Sequence, residues 1–278
     1  MGALLRIRDL RIGFGRAEAL HGIDLTVGEG ARVGIIGESG SGKSVTALAT
    51  MGLLPDTARV SGSIELGGRQ LVGLSDTGFA RLRGDVVSMI FQEPMTALDP
   101  TMRVGRQVAE VLRLHQGAPA GRARERVIEM LSQVGLPDPE RISMSFPHQL
   151  SGGQRQRALI AMALINQPEL VICDEPTTAL DVTVQARVLR LLDEQLDAAG
   201  AACLFISHDL AVVSQVCDEV LVMYRGTIVE SGPIAQVLEN PRHPYTAGLI
   251  ATARIDQIEP GRPLPVIENF WDGKEGRP

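Results

Sequence analysis

The sequence predicts an α/β fold in which a helical segment interrupts a strand-rich chain. Three observations predict it. A glycine-rich loop near residue 37 lies between a short apolar run and a helical one. Two later apolar runs, Leu170-Val171-Ile172-Cys173 and Cys203-Leu204-Phe205-Ile206, read as buried strands that stop at polar residues. Between the glycine-rich loop and these runs, from about residue 95 to 149, the texture turns helical. At 278 residues the chain is long enough for one large α/β domain with an insertion, and 44% hydrophobic content is that of a folded globular protein. Aromatics are 3% of the residues, so the core has to be aliphatic. A net charge of −6 gives no basic footprint, and no nucleic-acid partner is expected. The longest apolar stretch, residues 158–165, is far too short to span a membrane, and residues 1–10 carry charges where a secretion signal needs an apolar centre. Cys173, Cys203 and Cys217 are widely spaced and odd in number. They suit neither a disulfide framework nor a zinc or iron–sulfur site, and they fit a reducing, cytoplasmic compartment.

In chain order, residues 4–36 read as antiparallel strands. Leu5-Arg6-Ile7-Arg8 alternates, and Ile23-Asp24-Leu25-Thr26-Val27 alternates again before the Gly28-Glu29-Gly30 turn. Phe14 falls in the loop between them and is, by itself, core or edge filler as readily as a ligand contact. Ala31-Arg32-Val33-Gly34-Ile35-Ile36 is then a short buried strand. It leads into Gly37-Glu38-Ser39-Gly40-Ser41-Gly42-Lys43-Ser44, which fits the phosphate-binding loop pattern, and residues 45–54 run on as a helix until Pro55. That order aims several backbone N–H groups and a helix N-terminus at one point, where a polyphosphate can sit. Lys43, one of two lysines in the chain, would reach the terminal phosphates, and the Ser44 hydroxyl would ligate Mg²⁺. A nucleoside triphosphate is the expected ligand.

Short strands continue through Ser63-Ile64-Glu65-Leu66-Gly67-Gly68, and a strand over 86–91 ends in Gln92-Glu93-Pro94. The helical texture that follows holds one helix over 104–114 and another over 122–134. The second presents Val127, Ile128, Leu131 and Val134 on one face and stops at Gly135. Leu150-Ser151-Gly152-Gly153-Gln154 opens a further helix. Taken alone, it is equally an anion-seeking surface of backbone N–H groups and an ordinary Ser N-cap with glycines for close packing. Leu170-Val171-Ile172-Cys173-Asp174-Glu175 reads as a central parallel strand ending in two carboxylates, with Asp174 placed to hold Mg²⁺ through water and Glu175 to polarise an attacking water. Thr178-Ala179-Leu180-Asp181 leads into a helix whose stripe of Val188, Leu189, Leu192 and Leu196 should face the core. The strand over 203–206 ends at Ser207-His208-Asp209, which sets His208 at the same sheet edge as Glu175 and favours a γ-phosphate contact. Residues 220–230 read as a hairpin about Arg225-Gly226. Pro241, Pro244, Pro260, Pro263 and Pro265 predict a largely irregular tail.

In this order the motifs resemble the nucleotide-binding subunit of ABC transporters, over nearly the whole chain. Residues 37–44 match the Walker A loop, 170–174 the Walker B strand, Glu175 the catalytic carboxylate, Gln92 the Q-loop glutamine and 150–154 the LSGGQ signature. Ala179-Leu180-Asp181 looks like the D-loop, His208 the switch histidine, and Phe14 the aromatic that stacks on adenine, more often Tyr in the family. The resemblance implies a P-loop NTPase fold: a RecA-like core with an N-terminal antiparallel β subdomain and an inserted α-helical subdomain. Its expected divisions are 1–94, the β subdomain and first part of the core; 95–165, the helical insert with the signature; 166–235, the rest of the core; and 236–278, a C-terminal extension.

The resemblance also implies roles. ATP would be held by Gly37, Ser39, Gly40, Ser41, Gly42, Lys43, Ser44 and Val45 of one subunit and by Ser151, Gly152, Gly153, Gln154 and Asp181 of a second. Mg²⁺ would lie among Ser44, Gln92 and Asp174. Glu175, His208 and Gln92 would carry hydrolysis.

A narrower resemblance, to the D-type ATPases of the dipeptide, oligopeptide and nickel import family, rests on the stretch from Gly37 to Leu48, on Met51-Gly52-Leu53-Leu54-Pro55 and on Asn240-Pro241-Arg242-His243-Pro244-Tyr245-Thr246. It implies two permease subunits, a partner ATPase (a paralogous F-type subunit or a second copy), an extracytoplasmic solute-binding protein, and a place at the cytoplasmic face of the membrane. Two departures stand out. Ser207 precedes His208 where relatives often carry Thr, and no cysteine follows Cys217, so the iron–sulfur cluster of many relatives is not expected. Soluble ABC ATPases of DNA repair or the ribosome usually carry a coiled coil, zinc cysteines or tandem domains, none of which is present in this sequence.

Overall fold

The computed structural model describes residues 2–92, 97–178 and 180–253. The expectations that fall on Glu93-Pro94, on Ala179 and on the prolines at 260, 263 and 265 lie outside the described residues. Strands β1 (Ala3–Phe14) and β2 (Ala17–Gly28) form a hairpin. In β1 the most deeply buried side chains are Leu5 and Ile7, then Leu10 and Ile12. The one-residue slip between the pairs falls at Asp9, whose φ is 43°, where the pairing with β2 changes register. A bulge there keeps both halves of the strand facing the core. Phe14 is therefore not in a loop: the connection is only Gly15-Arg16, Gly15 takes a φ of 59°, and Phe14 still pairs with Ala17 as the last residue of β1.

β3 (Arg32–Ile36) runs into the glycine-rich loop and then α1 (Lys43–Met51). The helix stops at Gly52, before Pro55, because Gly52 turns left-handed with a φ of 62° where a Cβ would lie 2.4 Å from the Phe79 ring. β4 (Ala58–Leu66) and β5 (Arg69–Gln70) complete a four-stranded antiparallel sheet in the order β2-β1-β4-β5. After α2 (Asp76–Ala80) and β6 (Val87–Ile90) come α3 (Val104–Gln116), α4 (Ala120–Gln133) and α5 (Pro139–Met144), which pack on one another. Both α3 and α4 also pack on α6 (Gly152–Leu164). The chain then alternates through β7 (Leu170–Asp174), α7 (Val182–Ala199), β8 (Ala202–Ser207), α8 (Leu210–Val216), β9 (Glu219–Tyr224) and β10 (Thr227–Pro233).

The second sheet has the order β10-β9-β3-β8-β7-β6, parallel except for the antiparallel edge strand β10. Its central strands are buried on both faces and feed two cores. Val171, Cys173, Cys203 and Phe205 pack with the helices, including the predicted stripe Val188, Leu189, Leu192 and Leu196. Leu170, Ile172, Leu204 and Ile206 pack with α1 and the antiparallel sheet. Parallel strands sandwiched this way lose alternation and become continuous apolar runs. The tail departs from its prediction. α9 (Ile234–Glu239) and α10 (Pro244–Ala253) are helices, and Pro244 opens the second, a position where its missing N–H costs no intrahelical bond.

Candidate functional site

The parallel strands β3, β8, β7 and β6 all end at one edge of the sheet, so the residues just past them meet there. β3 delivers the glycine-rich loop, β6 delivers Gln92, β7 Asp174 and Glu175, and β8 His208. A cavity of about 490 Å³ at this edge is lined by Ser39, Gly40, Gly42, Lys43, Ser44 and Val45 on the loop side and by Gln92, Glu175, Thr178 and His208 opposite, with Ala19 of β2 at its margin. The loop needs its glycines. Gly40 and Gly42 take φ values of 80° and 109°, and a Cβ on Gly37 would lie 2.1 Å from the Met223 carbonyl oxygen.

The charges in the cavity are costly as they stand. Lys43 is 5% exposed and donates from Nζ to the carbonyl oxygens of Gly37 (2.8 Å) and Glu38 (2.9 Å). Burial pulls its ammonium below the usual lysine range, with Glu175, Asp174 and Glu38 acting in the opposite direction. Ser44 Oγ donates to Asp174 Oδ1 at 3.0 Å. Burial pushes the Asp174 carboxyl up, against the Ser44 hydrogen bond and the nearby Lys43 charge, and Glu175 pushes it further. The Ser41 hydroxyl is buried with no hydrogen-bond partner among the described residues. A deficit of partners around a loop of backbone donors is what a polyphosphate would relieve, and the Ser44–Asp174 oxygen pair suits the hard-oxygen preference of Mg²⁺.

Glu175 is the most constrained side chain of the set. Its φ of 48° is unusual for a residue with a Cβ and turns the chain sharply out of β7. Three groups then converge on a single carboxylate oxygen, Oε2: Gln92 Nε2 at 3.1 Å, Thr178 Oγ1 at 3.0 Å and His208 Nδ1 at 3.1 Å. A carboxylate fixed this way, at the wall of a cavity lined by a glycine-rich loop, is placed to orient a water for in-line attack. Thr178 is a partner of Glu175 that sequence reasoning missed. Its signal was weak: Pro176 follows Glu175 and forces a turn, and a turn brings residue i+3 back to residue i.

The structure does not bring the other predicted contacts to this cavity. Ser151, Gly152, Gly153 and Asp181 line a separate cavity of about 290 Å³ with Arg157, Leu180 and Arg187, and no residue lines both. There the polar groups satisfy one another. Ser151 and Gln154 form a reciprocal capping box at the start of α6, with Gln154 N donating to Ser151 Oγ at 3.3 Å and Ser151 N to Gln154 Oε1 at 2.9 Å. Asp181 caps α7 by accepting from Val184 N at 3.0 Å. Phe14 is half-buried against the antiparallel-sheet core and does not line either cavity. The three cysteines are buried free thiols. Among the described residues, no helix is long and apolar enough to cross a membrane.

A family model described as ABC transporter matches residues 20–178. The chain is 47% identical over 270 residues to the probable D,D-dipeptide transport ATP-binding protein DdpD of Escherichia coli, a match covering 95% of this chain and 82% of that protein. It is 46% identical over 272 residues to the oligopeptide transport ATP-binding protein OppD of Mycobacterium tuberculosis, covering 96% of this chain. The chain spans less than half of that mycobacterial relative, 44% of its length. Among solved structures, the dimeric post-hydrolysis state of the ATP-binding cassette MJ0796 bound to ADP and Pi superposes with a TM-score of 0.73 at 26% identity, covering 83% of this chain and 98% of that one.

Proposed function

Because this chain belongs to the ABC transporter family, we propose that it binds and hydrolyses ATP to energise a membrane importer of dipeptides, oligopeptides or a related small solute such as a nickel chelate. The observation that carries the reading is the convergence of Gln92, Thr178 and His208 on Glu175 Oε2 at the wall of the glycine-loop cavity. A passive phosphate-binding module has no use for a carboxylate fixed so tightly beside its loop. The peptide-transport names of relatives at 46–47% identity support the substrate class.

In this reading the loop from Gly37 to Val45 holds the phosphates, Lys43 reaches the terminal ones, and Ser44 and Asp174 hold Mg²⁺ with Gln92. When bound, Mg²⁺ neutralises charge on the phosphate oxygens. Glu175 accepts a proton from the attacking water, and His208 steadies the carboxylate and the γ-phosphate. Phe14, on the strand that pairs with β2 near cavity-lining Ala19, stacks on the base.

Ser151, Gly152, Gly153 and Asp181 face a cavity too distinct from the loop to serve the same nucleotide, so with Gln154, which is bonded to Ser151, they meet the ATP of a partner ATPase, a second copy or a paralogous F-type subunit. ATP then acts between two subunits, and hydrolysis releases them. One of two permease subunits docks a coupling helix on the helical insert, residues 95–165, and places the chain at the cytoplasmic face of the membrane. A solute-binding protein supplies specificity.

The test is recovery of the tagged chain from detergent-solubilised native membranes, with its companions identified by mass spectrometry. Two permeases, an ATPase partner and a solute-binding protein are expected. Recovery with ribosomes or DNA and no membrane protein would overturn transport while leaving the ATPase chemistry standing.

A further inference from the structure

The segment before α10 is fastened to the sheet by backbone donors. Glu230 of β10 accepts from Arg242 N at 2.8 Å and His243 N at 3.0 Å, and His243 Nδ1 accepts from Tyr245 N at 3.1 Å. These bonds drive Tyr245, one of two tyrosines in the chain, fully into the protein. Its ring packs against the other, Tyr224 of β9, with centroids 4.5 Å apart. Its hydroxyl then reaches across 207 residues of sequence and accepts a hydrogen bond from Glu38 N at 3.1 Å.

Glu38 is the second residue of the glycine-rich loop. Its N–H belongs to the same planar peptide unit as the Gly37 carbonyl, so fixing one fixes the other. That carbonyl, with the next, is where Lys43 Nζ rests, at 2.8 and 2.9 Å. The far side of the loop is held by the β9–β10 turn, where Gly226 N donates to Ser41 O at 2.8 Å. Of the two supports, only the one from Tyr245 comes from a side chain. Burial pushes the Tyr245 phenol up to about 12, so it stays neutral and keeps this contact throughout the working pH range.

We propose that Tyr245 is a positioning residue for the glycine-rich loop, its hydroxyl orienting the Gly37–Glu38 peptide that holds Lys43 in reach of the terminal phosphates of a bound nucleotide. The C-terminal helix is thereby part of the nucleotide site, and anything that displaces α10 alters ATP affinity. This rests on the reading of the loop as the ATP site. In the test, the full chain, Tyr245→Phe and Ile250→Val are compared by calorimetric titration with Mg–ATP and by melting without nucleotide. Tyr245→Phe keeps the ring packing and removes only the hydroxyl, and with it the acceptor for Glu38 N. Ile250→Val trims the same helix where it meets the helix-side core and leaves the loop contact alone.

Tyr245→Phe is expected to weaken Mg–ATP binding about fivefold, the scale of one mispaired buried N–H, while Ile250→Val keeps the wild-type affinity. An unchanged affinity in Tyr245→Phe, or an equal loss in both variants, would overturn the proposal and leave Tyr245 as a structural anchor only. Failure of the wild-type chain to bind Mg–ATP would instead sink the reading of the loop itself.

Discussion

Two cavities of this chain, at the starts of α1 and α6, are built from similar parts and stand in opposite states. Each has glycines, a serine and a helix N-terminus. At the α6 end the donors are used up within the chain, since Ser151 and Gln154 cap each other and Asp181 caps α7. At the α1 end the accounts are open. Gly42 gives α1 no side-chain cap, the Ser41 hydroxyl is buried without a partner among the described residues, Lys43 rests on carbonyls of its own loop, and Asp174 is buried beside Glu175. The first surface is complete as a piece of protein and can accept a ligand brought to it. The second is strained in charge and hydrogen bonding until a ligand arrives. Instability concentrated where chemistry is to happen is the usual signature of a preorganised site.

The sharpest way to break the comparison is at Glu175. Replacing the carboxylate with an amide keeps the shape and removes the base, so Glu175→Gln should lower steady-state Mg–ATP turnover of the assembled complex by about a thousandfold while ATP binding persists. Multiple turnovers at the wild-type rate would remove Glu175 from the mechanism. Lys43→Ala and Ser151→Ala then separate the two cavities. In the isolated chain, Lys43→Ala should cost about a hundredfold in Mg–ATP affinity by titration, because it removes the buried cation that meets the phosphates. Ser151→Ala should leave that affinity within about twofold and slow hydrolysis only once subunits are assembled. It also deletes an N-cap worth about 1 kcal/mol, so its melting temperature should fall by about 2–4 °C. Equal losses of ATP affinity in both variants would mean that one nucleotide touches both cavities within a single chain.

A subtler contrast concerns charge. Burial raises the Asp174 carboxyl above its usual value. The native state therefore takes up this proton at higher pH than the unfolded chain does, and the cost of the ionised form is complete above the native pKa and gone below the unfolded one. Asp174→Asn removes that cost while keeping an oxygen to accept from Ser44. The nucleotide-free variant should melt higher by about 2–4 °C near neutral pH, with the gain shrinking as the pH falls toward 4, and it should lose Mg²⁺-dependent hydrolysis. A lower melting temperature at neutral pH would show that the Ser44–Asp174 pair stabilises the fold.

The sequence made legible whatever depends on local period or on chain order. β7 and β8 read as buried runs because parallel strands covered on both faces need apolar side chains at every position. The α7 stripe read correctly from its spacing, and the meeting of Lys43, Glu175 and His208 followed from strands that end at one sheet edge, whereas Gln92 entered the site only through the family resemblance. Contacts that depend on tertiary closure were not legible. Nothing near Tyr245 advertises a bond to a residue 207 positions away. The prolines at 241 and 244 looked like breakers, yet Pro244 opens a helix, because proline ends a helix only when it falls inside one. The Asp9 bulge hid the length of β1, since a period-2 pattern that slips by one residue looks like the end of a strand.

Phe14 is where the open cavity and the closed core compete for one side chain, and it carries the smallest expected effect. The sequence placed it in a loop, free to meet a base. The structure makes it the last residue of β1, half-buried on the antiparallel-sheet core and outside the cavity lining. Both uses remain open to one ring, since an edge aromatic can bury one face and offer the other. A stacking contact contributes about 0.5–1.5 kcal/mol, so Phe14→Ala should weaken Mg–ATP about twofold to tenfold and leave binding of Mg–tripolyphosphate unchanged, because that ligand has no base to stack. Equal weakening of both ligands would mean that the truncation reaches the loop through the shared core. No weakening of either, with a lowered melting temperature, would assign the ring to packing alone, and the base would then rest on Ala19 and the β1–β2 backbone.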